Sequence, residues 1–305
     1  STGNTMAGPL PVVAADIAAG KADTVAMIYA VASRAIGRQY GGSTYAGSGD
    51  AAPSSYYYHL PWGWSSQAAH WALMFTHYAH EYGATEEDLA AVAIQVRQNA
   101  LANPNAVMRK AITREDYLAS RYIVRPLHLF DLCLVNDGAV CLIVTRAELA
   151  KGMNPALVAG WGEAVVRTRK LHAMVRERLR HQMLEVGEQA LAMAGLALAN
   201  VGHFEGYDAS SIHLVNQLEG YGFVAPGRGL AFAAEGQMAV GGRLPTNTEG
   251  GNLSGSYMHG WSQVAESVRQ VRGRAGPRQV GRLDAAMFSL AQTDQAHPLI
   301  FVPGE

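Results

Sequence analysis

The sequence has few cysteines and no long apolar run, and each absence excludes a class of protein. Cys133 and Cys141 are the only cysteines in 305 residues. Two are too few for a disulfide framework, and this is typical of a reducing compartment. No run of about 20 apolar residues is present, so the sequence predicts no membrane-spanning helix. We therefore expect a cytoplasmic protein without a membrane span.

The sequence also lacks an excess of positive or negative charge. The chain has 24 Lys and Arg against 25 Asp and Glu, a formal net charge of −1. Since no block of like charge stands out, a nucleic-acid partner is not expected. The 11 histidines are scattered without the spacing of metal ligands, so no metal site is expected. Hydrophobic residues make up 49% of the chain, which is enough for a large buried core.

Helical and strand-like patterns alternate along the chain, as is typical of a layered α/β protein. Three pairs have the spacing of helix-capping residues: Thr85 with Asp88, Thr113 with Asp116, and Thr145 with Glu148. The end of a short helix at Gly152 marks a boundary between two halves. Helices are predicted over residues 9–20, 84–104, 113–120, 145–152 and 168–195, then after a turn that follows Tyr207, and again after 260. Strands are predicted over residues 24–31, 132–145, 156–164 and 200–207, from residue 241 onward, and twice within 284–303.

A glycine-rich loop, GGNLSGSYMHGW (residues 250–261), leads into one of these helices. It carries two groups able to move protons, Tyr257 and His259. Tyr257 is interpreted either as a catalytic group or as an aromatic ring that fills a pocket. His259 is interpreted either as a proton carrier or as a residue that holds the loop. Gly250 and Gly251 would supply the backbone shape that the turn requires.

This loop resembles the thiolase superfamily, whose members carry Asn-x-x-Gly-Gly and then Gly-His-Pro-x-Gly at the start of a helix. Counted without gaps from the two glycines, the family's catalytic histidine falls on Tyr257 and its later glycine on Gly260. The family's Asn-Glu-Ala-Phe motif falls on residues 207–210, at a predicted strand end. Tyr207 then either acts in catalysis or packs under the next helix, and Asp208 either acts in catalysis or caps that helix.

Two departures from the pattern argue against the thiolase reaction. A thiolase holds the acyl group on a cysteine thiolate and uses a second cysteine as acid and base. Counting back from the predicted helix puts the nucleophile position on Gly3, and residues 288–294, FSLAQTD, lack the Cys-x-Gly motif. The resemblance therefore implies a CoA thioester bound beside backbone groups of Gly3, Gly250, Gly251 and Gly260 without covalent attachment.

Residues 116–139 and 217–223 look most like the lipid-transfer or sterol-carrier branch, in which some members are aldolases that shorten steroid side chains. Retro-aldol cleavage needs a base, a donor to the enolate oxygen and an acid, but no covalent nucleophile. The resemblance implies cleavage of a β-hydroxyacyl-CoA to propionyl-CoA or acetyl-CoA and a ketone, with Tyr257, Tyr207, His259 and Asp208 as the candidate catalytic residues. An acyltransferase whose nucleophile lies outside this sequence, and a non-catalytic acyl-CoA-binding subunit, remain alternatives.

The resemblance also implies the architecture. We expect the layered αβαβα thiolase fold, with one half over residues 1–153, a loop domain within it over about 35–125, and a second half over 154–305. The implied assembly is a homodimer core with an OB-fold, zinc-ribbon partner that gives a heterotetramer. No cofactor is expected beyond the CoA carried by the substrate. Because the chain starts in what would be the middle of this fold, a segment before Ser1 is expected.

Overall fold

The computed structural model describes residues 7–37, 66–165, 176–281, 283–292 and 295–304. Gly3, residues 38–65 of the predicted loop domain, and the start of the helix predicted over residues 168–195 lie outside these ranges. The helices are α1 (Pro9–Ala18), α2 (Ala68–Tyr82), α3 (Glu86–Ala100), α4 (Arg114–Ala119), α5 (Arg176–Met193), α6 (Ser211–Gly220), α7 (Gly229–Ala234) and α8 (Trp261–Val271). The strands are β1 (Thr24–Ala32), β2 (Tyr122–Val124), β3 (Leu127–His128), β4 (Asp137–Thr145), β5 (Ala156–Trp161), β6 (Ala164–Val165), β7 (Val201–Gly206), β8 (Ala285–Gln292) and β9 (Gln295–Pro303).

Two sheets organise the described residues. In the first, β1 and β4 pair antiparallel, so that Thr24 lies opposite Thr145. In the second, the strand order is β5-β9-β8-β7, and β6 also pairs with β9. The β7–β8 pair is parallel and the other pairs are antiparallel. β2 and β3 form a separate two-stranded ribbon.

Helix α8 lies between the two sheets and joins their cores. It packs against β7 and β8 of the larger sheet and against β4 of the smaller one. Its fully buried Val264 belongs to a cluster that includes Met27 of β1 and Phe288 of β8. The neighbouring Met287 belongs instead to the cluster on the other face of the larger sheet, where α5 and α6 pack. The arrangement is a layered α/β fold, as the alternating patterns predicted.

Local signals in the sequence predicted helix starts well where the cap is formed by neighbouring side chains. Thr85 and Asp88 make both hydrogen bonds of a capping box at the start of α3, and Thr113 with Asp116 does the same for α4. The predicted cap at Thr145 is wrong. Thr145 is the last residue of β4, where its hydroxyl donates to the carbonyl of Asp23 at 3.0 Å, and only a 3₁₀ turn (Ala147–Ala150) follows.

One predicted strand is absent, and another is shorter than expected. The segment 241–247 is made of turns, with a single parallel bridge between Phe204 and Thr246. The reason is that its backbone bonds back to the preceding turn, with Thr246 N–H donating to Met238 O at 3.0 Å. The strand predicted over 132–145 begins only at Asp137. Among the described residues, no helix is long and apolar enough to cross a membrane.

Candidate active site

The structure brings the two tyrosines of the sequence motifs together. The hydroxyl oxygens of Tyr207 and Tyr257 lie 3.1 Å apart, within hydrogen-bond distance. Tyr207 follows the last residue of β7 and is 2% exposed. Its N–H donates to Ser289 O at 2.8 Å, and its carbonyl accepts from Gln217 Nε2 at 2.8 Å. Tyr257 is only partly buried, so the pair combines a fixed buried hydroxyl with one that is more open.

Tyr257 is held at the end of a turn that requires glycine at both of its first positions. Gly250 has φ 104° and Gly251 has φ 55°, both in the left-handed region that favours glycine. A Cβ on Gly250 would lie 2.5 Å from Ala100 Cβ, and one on Gly251 would lie 2.1 Å from Asp208 Oδ2. A π-helical turn (Gly251–Gly255) follows. The two glycines are therefore needed for space as well as for conformation.

Asp208 anchors this turn and does not cap the following helix. The N-cap residue of α6 is Ser210, so the interpretation of Asp208 as a cap is wrong. The Asp208 side chain is fully buried, and its Oδ1 accepts from Asn252 N–H at 2.8 Å and from Gln263 Nε2 at 3.1 Å. Burial raises the pKa of Asp208 well above its usual range. Its side chain thus ties the end of β7 to the glycine-rich turn and to α8.

His259 lies in an aromatic cluster beside Tyr257. Its ring centroid is 4.6 Å from that of Tyr257 and 5.5 Å from that of Tyr29 on β1. Tyr29 in turn stacks on Trp261 at 5.6 Å. His259 has φ 50° and Gly260 has φ 85°, and these two residues turn the chain into α8. The structure therefore places His259 next to the tyrosine pair and at the positive end of a helix dipole.

Asn136 is a site residue that the sequence interpretation missed. Its Oδ1 accepts the backbone N–H of Tyr257 at 2.7 Å, and the residue is 4% exposed. Gly138 leaves room next to it, because a Cβ there would lie 3.2 Å from Met258 Sδ. Asn-Asp-Gly (residues 136–138) lies within the strand predicted over residues 132–145. Its real contact is with the loop more than one hundred positions further along the chain.

Neither cysteine is placed as an activated nucleophile. Cys133 lies in an extended segment beside the tyrosine motif, with its N–H donating to Ala209 O at 3.0 Å. Burial, together with the charge of Asp208, raises the pKa of the Cys133 thiol to about 12, and a thiol in that form is a poor nucleophile. Cys141 is exposed on β4. Among the described residues, no group of three His, Cys, Asp or Glu side chains is arranged to hold a metal ion.

The fold and this site define the class of the protein: the chain belongs to the thiolase superfamily. The family model described as Thiolase C-terminal domain-like matches residues 163–293. The structure of an Ltp2-ChsH2(DUF35) aldolase matches with a TM-score of 0.86 and 33% identity, covering 97% of this chain and 77% of that chain. The thiolase fold that the sequence predicted is confirmed.

Two curated relatives place the chain in the branch that contains steroid side-chain-cleaving aldolases. One, from Thermomonospora curvata, is a steroid side-chain-cleaving aldolase that is 41% identical over 229 residues, which cover 72% of this chain and 58% of the relative. The other is a 17-hydroxy-3-oxo-4-pregnene-20-carboxyl-CoA lyase from Mycobacterium tuberculosis, 40% identical over 219 residues, which cover 70% of this chain and 57% of the relative. The chain thus spans less than two thirds of the length of these curated relatives.

Proposed function

We propose that the chain is an aldolase subunit that cleaves a β-hydroxyacyl-CoA by a retro-aldol reaction. The observation that carries this proposal is the 3.1 Å contact between the hydroxyls of Tyr207 and Tyr257, at the two motif positions where a thiolase has other residues. Relatives with 41% and 40% identity are named for this reaction type. By analogy with them, the substrate is a steroid side-chain CoA thioester, and the products are propionyl-CoA or acetyl-CoA and a ketone.

In this mechanism, Tyr257 takes the proton from the β-hydroxyl of the substrate. The bond between the β-carbon and the α-carbon then breaks, its electrons go to the thioester enolate, and the β-carbon becomes a ketone. The enolate is reprotonated on its α-carbon, so the proton lost by the hydroxyl is returned to carbon. Tyr257 acts as a phenolate, which becomes a neutral phenol when it takes this proton and a phenolate again when it returns the proton to the α-carbon. Tyr207 donates a hydrogen bond to the phenolate, which stabilises the charged base. No covalent nucleophile is needed.

Tyr257 is the better candidate for the base of the pair. It is more exposed than Tyr207, so a substrate can reach it. Its loop leads directly into α8, which begins four residues later at Trp261. His259, Asp208 and the glycines Gly250, Gly251 and Gly260 keep this loop in place around the CoA thioester. No cofactor is required in addition to the CoA of the substrate.

The same proposal extends to the assembly. The solved relative is an aldolase with two named components, Ltp2 and ChsH2(DUF35), and we infer a homodimer core with an OB-fold, zinc-ribbon partner for this chain, in the cytoplasm. The outer face of the β1–β4 sheet supports an assembly, because Ile28 and Ile143 there are 67% and 63% exposed. Apolar side chains exposed together on a sheet face are usually covered by another protein surface.

The test uses the full-length protein, purified with any co-eluting partner, and a 17-hydroxy steroid-20-carboxyl-CoA. Propionyl-CoA and the 17-ketone are followed by LC–MS for the wild type and for Tyr257→Phe. Tyr82→Phe, which removes a hydroxyl from a partly exposed tyrosine at the end of α2, is the matched control.

We expect cleavage by the wild type and the control, and a loss of at least about 100-fold in Tyr257→Phe. Full activity of Tyr257→Phe would remove this residue from the mechanism. Absence of cleavage by the wild type would favour acyl transfer or a non-catalytic role.

A further inference from the structure

Two glutamates lie buried directly under the glycine-rich turn. Glu205 is in β7 and is fully buried, and Glu249 immediately precedes Gly250 and is 2% exposed. Glu249 Oε2 accepts the N–H of Gly251 at 2.7 Å. Glu205 Oε1 accepts the N–H of Thr248 at 3.0 Å. The two carboxyl groups thus bind backbone N–H groups on both sides of Glu249, at Thr248 and at Gly251.

The second oxygen of each carboxyl group has no other partner. Glu205 Oε2 and Glu249 Oε1 are buried, and neither has a hydrogen bond to another group of the described residues. The two side chains are close enough to hydrogen-bond to each other. Two carboxylates cannot form this bond, because both would only accept. One proton shared between the two carboxyl groups makes this hydrogen bond possible.

The charges around the pair also require a proton. Arg278 faces it, but its guanidinium is engaged by both oxygens of Glu266 on α8, each at 2.9 Å. Arg269 also points to Glu266, at 3.5 Å. Among the described residues that face the pair, no cation is left to balance two further carboxylates, and Asp208 adds another carboxyl group nearby.

His203 lies next to the pair but does not supply the missing charge. Its Nε2 is 3.0 Å from Glu205 Oε1, and burial lowers the pKa of His203 to about 4. The imidazole is therefore neutral at physiological pH. Burial and the neighbouring carboxyl groups raise the pKa of both Glu205 and Glu249 well above the usual range of glutamate.

We propose that Glu205 and Glu249 share one proton and that this pair positions the turn that carries Tyr257. Two hydrogen bonds connect Glu249 to the residue before Tyr257. Glu249 accepts the N–H of Gly251, and Gly251 O accepts the N–H of Ser256 at 3.0 Å. Ser256 directly precedes Tyr257. The sharing of the proton is inferred from the buried side chains alone. The effect on catalysis rests on the proposed aldolase function.

The first experiment measures how the unfolding constant of the full-length protein, with any partner, depends on pH. An unfolded glutamate loses its proton near pH 4.3, whereas the folded pair, with its raised pKa, still holds one at that pH. This proton favours folding at low pH, and its contribution is lost as the pH rises toward the folded pKa. Between the two pKa values, the unfolding constant rises about tenfold per pH unit from this proton alone.

Glutamine variants distinguish one proton shared by the two glutamates from one proton on each of them. In Glu249→Gln, the amide N–H₂ takes the place of the proton and the amide oxygen still accepts from Gly251. We expect Glu249→Gln and Glu205→Gln each to remove the same tenfold-per-unit dependence, and the double variant to remove no more. Glu188→Gln, at an exposed position of α5, is the matched control and should keep the wild-type slope. A wild-type slope in both single variants, or twice the effect in the double variant, would overturn the proposal.

The second experiment measures the pH profile of cleavage. In the wild type, loss of the shared proton at high pH loosens the turn and lowers kcat, while Glu249→Gln should keep its activity to higher pH. A residue that only fills space would lower activity without moving the profile, and an unmoved profile would contradict the positioning role. Should the wild type not cleave the substrate at all, the aldolase function fails, and the unfolding experiment still decides whether a proton is shared.

Discussion

Replacing Asn136 with alanine tests how a residue just before β4 positions a tyrosine 121 positions further along the chain. Asn136 Oδ1 is the acceptor for the Tyr257 N–H at 2.7 Å, across 121 positions of sequence. Alanine removes this acceptor and leaves the backbone that leads into β4. The Tyr257 N–H must then bond to water or remain unpaired, and the loop loses one of the contacts that fix its end.

The size of the effect follows from the burial of the two partners. An unpaired buried backbone donor costs about 1–3 kcal/mol. Tyr257 is only partly buried, so water can replace part of the lost bond. We therefore expect a loss of about 1–1.5 kcal/mol in the free energy of unfolding, at the low end of this range. If the transition state loses the same amount, kcat/KM falls about tenfold, since 1.36 kcal/mol corresponds to a factor of ten.

The assay combines urea denaturation with LC–MS kinetics on the full-length protein and its partner. Asn105→Ala, at an exposed position beyond α3, is the control and should change neither quantity. The kinetic loss should appear mainly in kcat, because Asn136 orients Tyr257 and is not itself expected to bind the thioester. Wild-type kcat in an Asn136→Ala protein that has lost stability as expected would refute the reasoning, because Tyr257 would then not depend on this bond for its position.

Two further predictions concern the turn and the second tyrosine. Gly251→Ala places a methyl group 2.1 Å from Asp208 Oδ2 at a positive φ, and we expect a loss of at least about 2 kcal/mol in the free energy of unfolding. Gly281→Ala, whose Cβ would meet nothing within 4 Å, should be nearly neutral, and equal losses in both would contradict the steric argument. Tyr207→Phe removes the donor to Tyr257, so the apparent pKa of the base in the kcat/KM profile should rise, and an unchanged profile would separate Tyr207 from the base.

The sequence predicted best those features that depend on neighbouring residues. The capping boxes at Thr85 and Thr113 need only a hydroxyl and a carboxylate three positions apart, and both are present in the structure. The helix before Gly20 and the strand β1 agree with their predicted bounds within about two residues, and β8 and β9 are the two strands predicted within residues 284–303. These signals are local, and tertiary packing preserves them.

The sequence predicted least well the contacts that link distant segments. The Thr145 pattern matched a helix cap, but pairing of β4 with β1 extends to Thr145 and takes its hydroxyl. Asp208 likewise matched a cap, but the glycine-rich turn, which is more than forty positions away, takes its carboxyl oxygens. Asn136 gave no local signal at all. Family resemblance located the tyrosine motifs, but only the fold shows which residues hold them.

Under the proposed function, the tyrosine pair explains how the thiolase fold can host retro-aldol cleavage as well as acyl transfer. Two hydroxyls 3.1 Å apart cannot both become phenolates, because the second charge would face the first at hydrogen-bond distance. The pair therefore behaves as a single group that holds one proton or two, and the protonated partner stabilises the phenolate. A retro-aldol cleavage needs one proton taken from oxygen and one returned to carbon, which such a pair can do. Acyl transfer needs a thiolate, and the described cysteine beside the pair, Cys133, is held as a thiol by a pKa of about 12. Within the part of the fold that the structure describes, the site is suited to moving a proton and not to holding an acyl group.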